Sequence, residues 1–145
     1  MRLTLLGDGT SASALLELPS GERLLVNAAE GLQRLSCEHA VRLHRRLDAV
    51  LLTGLTPETT AGLPGLLLKL GEAGVETLHV LGPKGVATYL RTISPRFVRP
   101  RTHLLATEFT DADVAVNWRG VLHVFPMALC GARALPAARR AAEEW

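Results

Sequence analysis

The first part of the chain consists of short apolar runs separated by turns. Residues 2–6, 14–18 and 23–26 are rich in leucine, and segments 7–10 and 19–22 between them contain glycine and proline. Apolar runs of this length between such turns are typical of β-strands. The pattern predicts an antiparallel meander of three strands, with the second and third joined as a hairpin.

From residue 29 the apolar positions recur at helical spacing. Leu32, Leu35, Ala40 and Leu43 share one face, which predicts a helix that continues into the basic run 42–46. We expect this run to close the helix, because cations are favoured at a helix C-terminus. The alternative is that the run contacts RNA or a protein partner.

The middle of the chain alternates between predicted strands and helices. Residues 48–53 and 77–81 are continuous apolar runs, as expected for strands covered on both faces. Helices are predicted at 59–71 and at 86–91, with Pro83 at the opening of the second. The first of these helices carries one apolar stripe, formed by Leu63, Leu66, Leu67 and Leu70.

The last third predicts a loop and more strands. Residues 94–101 contain two prolines and three arginines, which indicates a surface loop. Strands are predicted at 103–109, 114–118 and 121–125, and the last two form a hairpin that returns the chain to the sheet.

The length and composition fit one folded domain. The chain has 145 residues, of which 48% are hydrophobic and 21% charged, far from the composition of disordered chains. We expect a single domain over residues 1–145, with a core over 1–128 and a terminal tail or helix over 129–145. Strands followed by alternating strands and helices predict an α/β fold, in which helices cover a mixed sheet.

The charge distribution is more informative than the net charge. A formal charge of +2 is too small to indicate nucleic-acid binding by itself. Two groups of arginines are nevertheless candidates for contact with RNA or a partner, and the alternative is that they are solvated surface residues. These candidates are Arg42, Arg45, Arg46, Arg91, Arg96, Arg99 and Arg101.

Cysteine and apolar content exclude several other classes of protein. Cys37 and Cys130 lie far apart and are expected to be buried free thiols. No apolar run reaches the length of a membrane span, and the N-terminus lacks the pattern of a signal peptide. We therefore expect an intracellular protein.

Five short blocks occur in an order that is typical of one family. They are G-D-G-T-S at 7–11, N-A-A-E-G-L-Q-R at 27–34, R-L-D-A-V-L-L-T at 46–53, G-L-P-G at 62–65 and L-G-P at 81–83. In this order they resemble the amino-terminal half of long-form tRNase Z, a degenerate copy within the metallo-β-lactamase superfamily. The resemblance implies an αβ/βα sandwich, here a partial or half sandwich, and a mitochondrial or nuclear location, with the cytoplasm as the alternative.

The resemblance also implies where zinc would bind in an active member. There, three histidines and an aspartate follow the strand that ends in threonine, and they hold two zinc ions. These positions fall on Gly54, Thr56, Glu58 and Thr59, and a later ligand position falls on Ala128. We therefore expect no bound cofactor and no catalytic residue. Zinc would belong to a catalytic partner half.

The remaining candidate groups have structural interpretations. Glu58 is expected to place negative charge at a helix N-terminus. His39 and His44 are five residues apart on the predicted helix, which is not the spacing of two metal ligands on one face. The other three histidines, on separate predicted strands, are expected to be structural: His79, His103 and His123.

These observations predict a protein that works through its surfaces. The first hypothesis is a non-catalytic scaffold for a catalytic metallo-β-lactamase half, with a contribution to the binding of precursor tRNA. The second is a pseudoenzyme that serves as a structural subunit of a larger mitochondrial or ribonucleoprotein complex. A third, an active hydrolase with an unorthodox site, requires that the chain bind zinc.

Overall fold

The computed structural model describes residues 1–7, 9 and 11–109, together with the backbone of 116–118 and 122–124. The chain divides into two compact units, Met1–Phe109 and Thr110–Trp145, and each is described by itself. Among the described residues, no helix combines the length and apolar character that a membrane span requires.

The first unit is built on a six-stranded mixed sheet. Its strands lie in the order of the sequence, and the first three are antiparallel while the third to the sixth are parallel. This confirms the predicted meander and the strands that follow it. The strands are β1 (Arg2–Gly7), β2 (Ala12–Glu17), β3 (Arg23–Val26), β4 (Leu47–Leu51), β5 (Thr77–Pro83) and β6 (His103–Phe109).

Four helices connect the parallel strands. They are α1 (Leu32–Glu38), α2 (Pro57–Thr60), α3 (Leu63–Glu72) and α4 (Val86–Phe97). The predicted leucine stripe of α3 is fully buried, and it belongs to one core with alternate residues of the strands, such as Val50, Leu78 and Val80. Because alternate strand residues point to one side of a sheet, this core lies between one face of the sheet and the helices. The predicted α/β architecture, with helices covering a mixed sheet, is confirmed.

The prediction of one long helix from residue 29 to the basic run is wrong. Helix α1 ends at Glu38, and both Ala40 and Arg46 adopt left-handed backbone angles, with φ of 54° each. The basic run 42–46 therefore lies in a turn, so it does not complement a helix dipole. The Arg23 guanidinium explains the turn, because Nη1 donates hydrogen bonds to the carbonyls of Arg42 (2.6 Å) and Arg45 (2.7 Å).

Two other helix boundaries also differ from the prediction. The helix expected over 59–71 is interrupted after Thr60, so α2 and α3 are separate. Helix α4 begins after Gly85, with φ of 101°, and continues through Pro95 to Phe97. The first half of the predicted loop 94–101 is therefore helical, and Pro83 ends a strand instead of opening a helix.

The second unit contains a described hairpin. Strands β7 (Val116–Trp118) and β8 (Leu122–Val124) pair antiparallel, as predicted. They form a two-stranded sheet of their own and are not strands of the six-stranded sheet, which corrects the expectation that they return to it. The predicted tail over 129–145 lies outside the described residues.

Candidate functional site

The turn after β4, residues 53–62, occupies the place where the family resemblance puts the zinc ligands; we call it the motif turn. Its first residue is fixed by Asn27, which follows β3. The Asn27 side-chain oxygen accepts hydrogen bonds from the Thr53 backbone N–H (2.9 Å) and from the Thr53 hydroxyl (3.0 Å). Asn27 has a left-handed φ of 59°, a conformation that asparagine tolerates better than most residues. The side-chain amide thus joins the ends of two neighbouring strands.

Thr59 closes the motif turn from inside. Its hydroxyl lies 2.8 Å from the carbonyl oxygen of Gly54 and 3.0 Å from that of Thr56, and it accepts a hydrogen bond from the Thr56 N–H at 3.2 Å. Thr56 is the N-cap residue of α2, and Pro57 follows it at the first helical position. Two of the positions equivalent to zinc ligands therefore shape the backbone.

Gly62 and Gly65 pack against the 27–34 block. The Gly62 N–H donates to the Ala28 carbonyl, and the Ala28 N–H donates to the Thr59 carbonyl, each at 2.8 Å. A Cβ atom on Gly62 would lie 2.2 Å from the Ala29 carbonyl oxygen, and one on Gly65 would lie 2.7 Å from the Gln33 side chain. The 62–65 block and the 27–34 block are therefore packed directly against each other.

Glu58 is exposed in the first turn of α2, which confirms its position at a helix N-terminus. Hydrogen bonds from the Thr56 side chain and from its own backbone N–H lower the pKa of Glu58. The carboxylate is therefore fully ionised at neutral pH. A general base works best when its pKa is close to the working pH, so this shift makes Glu58 a poor base.

The residues of the motif turn do not fit zinc. Gly54 has no side chain, the hydroxyls of Thr56 and Thr59 take part in the hydrogen bonds of the turn, and Glu58 is a single carboxylate. Across the described ranges, no three His, Cys, Asp or Glu side chains lie close enough together to hold a metal ion. The remaining ligand position, Ala128, lies outside the described residues.

The histidines and Cys37 are dispersed over the described fold. His39 is exposed at the end of α1 and His44 is half-buried in the following turn, so the two do not share a helix. His79 lies on β5 and His103 on β6. Cys37 is exposed near the end of α1, so the expectation of a buried thiol is wrong for it. Cys130 and the side chain of His123 are outside the described part of the chain.

Five of the seven candidate arginines lie at the opposite end of the parallel strands from the motif turn. The parallel strands β3 to β6 all begin at one edge of the sheet, which we call the amino edge, and end at the opposite carboxyl edge. The motif turn follows β4 at the carboxyl edge. Five candidates immediately precede strands at the amino edge, and two lie on α4: Arg42, Arg45 and Arg46 before β4, Arg99 and Arg101 before β6, and Arg91 and Arg96 on the helix.

Arg46 shows how the amino edge is packed. A Cβ atom on Gly21, in the turn between β2 and β3, would lie 3.0 Å from Arg46 Nη1. The guanidinium therefore lies against this turn, although the residue as a whole is exposed. Sequence spacing identified these arginines but not Arg23, whose hydrogen bonds organise the same region.

Comparison of the sequence with known proteins finds tRNase Z relatives, although no family model matches the chain. A mitochondrial tRNase Z of Arabidopsis thaliana is 41% identical over 100 residues, which are 68% of this chain and 11% of that protein. The mitochondrial ribonuclease Z of Drosophila melanogaster is 37% identical over 100 residues, or 68% of this chain and 13% of that protein. The chain thus spans about a tenth of the length of these relatives.

Solved structures with the same fold belong to the same group. A long-form RNase Z from yeast superposes with a TM-score of 0.69 and 22% identity, covering 81% of this chain and 16% of the yeast chain. The short form of human tRNase Z superposes with a TM-score of 0.64 and 24% identity, covering 74% and 44%. The chain is therefore homologous to tRNase Z proteins and has a metallo-β-lactamase fold.

Proposed function

We propose that this chain is a non-catalytic tRNase Z-like domain that serves as a scaffold for a catalytic metallo-β-lactamase half. One observation carries the proposal. The motif turn keeps its backbone frame through Asn27, Thr59 and Gly62, while the positions equivalent to zinc ligands are hydrogen-bonded or lack a side chain. A turn built this way supplies shape without the ligands that activate water in a zinc hydrolase.

In this proposal the zinc and the catalysis belong to the partner half. The relatives are named as tRNase Z, ribonuclease Z and zinc phosphodiesterase proteins. The substrate of the complete assembly would then be precursor tRNA, and the chain would act in tRNA 3′-end processing. The mitochondrial names of several relatives support a mitochondrial location, with the nucleus and cytoplasm as alternatives.

The arginines of the amino edge are the proposed contact with tRNA or with the partner. All seven candidate arginines are exposed: Arg42, Arg45 and Arg46 before β4, Arg99 and Arg101 on the loop before β6, and Arg91 and Arg96 on α4. Guanidinium groups bind phosphate oxygens with paired N–H donors, which suits them to an RNA backbone. Removing such contacts would weaken binding with little dependence on RNA sequence.

The test combines metal analysis with a cleavage assay. The purified chain is analysed for zinc and incubated with precursor tRNA, alone and with the carboxy-terminal half of a long-form tRNase Z. We expect no stoichiometric zinc, no cleavage by the chain alone, and faster cleavage when both halves are present. Stoichiometric zinc or zinc-dependent cleavage by the chain alone would overturn the proposal and favour an active hydrolase.

A variant in which the zinc-ligand pattern is restored also tests whether the chain can bind zinc. The combined substitutions Gly54→His, Thr56→His, Glu58→Asp and Thr59→His restore the ligand pattern of active members. We expect at best weak zinc binding, because the variant loses the Thr59 hydrogen bonds and still has Ala128 where the resemblance puts a further ligand. Tight, stoichiometric zinc in a titration would contradict this expectation.

A second candidate function is that of a structural subunit in a larger mitochondrial or ribonucleoprotein complex. It is supported by two exposed apolar side chains on β1, Leu3 and Leu5, which are 60% and 70% accessible. Apolar groups left in water on a strand are typical of a surface that another protein covers. Affinity purification from mitochondria followed by mass spectrometry separates the candidates. Recovery of an intact tRNase Z half favours the scaffold, and recovery of unrelated subunits without it favours the second candidate.

A further inference from the structure

We infer that strand β6 and helix α4 form a docking groove for an extended, acidic segment of a protein partner, which adds to the sheet as a further strand. This inference is independent of the motif turn. It rests on three features of the first unit: the direction of the backbone groups of β6, the groove beside that strand, and the charges that line the groove.

The backbone of β6 presents hydrogen-bonding groups away from the sheet. Among the described strands, β6 is at the end of the six-stranded order. Its His103 N–H donates to the Glu76 carbonyl at 2.7 Å. The backbone N–H and C=O groups of His103, Leu105 and Thr107 therefore face β5. In a parallel ladder the intervening residues, Leu104, Ala106 and Glu108, therefore direct both N–H and C=O outward. Outward-facing backbone groups along the side of an outermost strand are a template for another strand.

A groove of about 530 Å³ runs beside these groups. Its walls come from α4, from the loop before β6 and from β6 itself, and they include Leu90, Val98, Leu104 and Ala106. Leu104 is only half-buried and Ala106 is exposed, whereas the equivalent residues of β5, Leu78 and Val80, are completely buried. The helix layer thus leaves part of the β6 side chains uncovered, and the side chains of an added strand would complete this packing.

The charges of the groove favour an acidic occupant. Arg91 and Arg99 line it, and within residues 1–109, where the structure describes the groove, no Asp or Glu is among the lining residues. Among the described residues, Arg99 forms a loose, exposed ion pair with Glu72, at 3.6 Å. The nearest acidic residue of the strand, Glu108, already accepts hydrogen bonds from the N–H groups of Gly85 (3.1 Å) and Ala87 (2.9 Å). Its charge therefore complements the start of α4.

A peptide fits this groove better than RNA does. The described part of the lining contains no Phe, Tyr or Trp side chain on which a base could stack, and its walls are largely aliphatic. Main-chain pairing with alternate residues of an edge strand is instead the way in which extended peptides gain affinity, while pockets beside the edge give specificity.

The experiment uses the whole chain and a defined probe. The probe is an acetylated eight-residue peptide of alternating valine and glutamate, and binding is measured by isothermal titration calorimetry. We expect at least a tenfold loss of affinity for Arg91→Glu, and the same loss for Ala106→Pro, which removes one outward N–H without touching the ladder to β5. Arg34→Glu on α1 is the matched charge control and should bind normally.

Two further probes do not depend on how the variants fold. A peptide with N-methyl groups on alternate residues should lose binding to the unaltered chain, and so should a version with lysine in place of glutamate. The inference is overturned if the acidic peptide does not bind, if the lysine peptide binds equally well, or if an oligouridine competes for the groove with higher affinity. It is also overturned if the chain forms a dimer that Ala106→Pro dissociates, because the occupant would then be a second copy.

Discussion

The carboxyl edge and the amino edge, where the parallel strands end and begin, are stabilised in different ways. At the carboxyl edge the motif turn depends on close backbone packing, with Gly62 against the Ala28 and Ala29 carbonyls and Asn27 bonded to Thr53. At the amino edge one side chain, Arg23, holds the turn before β4 through two carbonyls. The shape of the motif turn therefore does not depend on imidazole ligands, which explains how a chain can keep the frame of a zinc site without residues that fit zinc.

The largest effect is expected from breaking the carboxyl edge with Gly62→Ala. The added Cβ would lie 2.2 Å from a backbone oxygen, so the two blocks must separate. We expect a loss of about 3 kcal/mol in the free energy of unfolding, measured by urea denaturation. Gly54→Ala is the control, because the nearest described atom to its Cβ would be the Thr59 hydroxyl oxygen, at an ordinary contact distance of 3.9 Å. Equal effects of the two substitutions would contradict the proposed packing.

The amino edge is tested by Arg23→Ala. This substitution removes both hydrogen bonds to the 42–46 run and the ion pair of Nε with Glu17, whose atoms are 3.0 Å apart. We expect a loss of about 2 kcal/mol, since hydrogen bonds from a charged donor are stronger than neutral ones. Arg34→Ala removes an exposed pair on α1 and should cost at most about 0.5 kcal/mol in the same denaturation experiment.

A smaller effect is expected from Thr59→Val, which keeps the shape of the side chain and removes the hydroxyl. The Thr56 N–H loses its acceptor and the Gly54 carbonyl loses its donor. We expect a loss of about 1 kcal/mol in unfolding free energy. Thr92→Val on α4 removes a hydroxyl bonded to the Thr88 carbonyl on an exposed helix face, and should change stability by only a few tenths of a kcal/mol.

The smallest effect concerns the pH dependence of the carboxyl edge. The pKa of Glu58 is lowered in the folded chain, so its contribution to stability is complete above the pKa of an ordinary glutamate. The contribution is lost as the pH falls through the lowered pKa. We expect NMR titration to place the pKa of Glu58 below that of an ordinary glutamate, and Thr56→Val to raise it towards the ordinary value. A Glu58 midpoint unchanged by Thr56→Val would assign the shift to the backbone alone.

Sequence patterns predicted the elements that bury a continuous apolar surface. The strands and the α3 stripe follow from the positions of leucine and valine, because burial of those side chains decides their structure. The G-L-P-G block was recognisable because glycine is required where Gly62 meets backbone atoms. These features depend on residue types, such as buried leucine and closely packed glycine, that have few alternative structural roles.

The features that the sequence patterns did not predict depend on contacts between residues that are distant in sequence. Helix α1 stops where Ala40 takes a left-handed φ, and the 42–46 carbonyls find their donor in Arg23, some twenty residues earlier. Spacing alone favoured a continuous helix over that region. Likewise, Thr59 was identified as a degenerate zinc-ligand position and Asn27 only as part of the 27–34 block, whereas their hydrogen bonds became evident only from the structure.

The strand order of the six-stranded sheet has a consequence for folding during synthesis. Every strand pairs with its predecessor in the chain, so each new strand can add to a sheet that already exists. Such sequence-local pairing keeps the loops that must close short, which lowers the entropic barrier to folding. The first unit can therefore assemble progressively from its N-terminus as it leaves the ribosome, and β6 is the last of its strands to emerge.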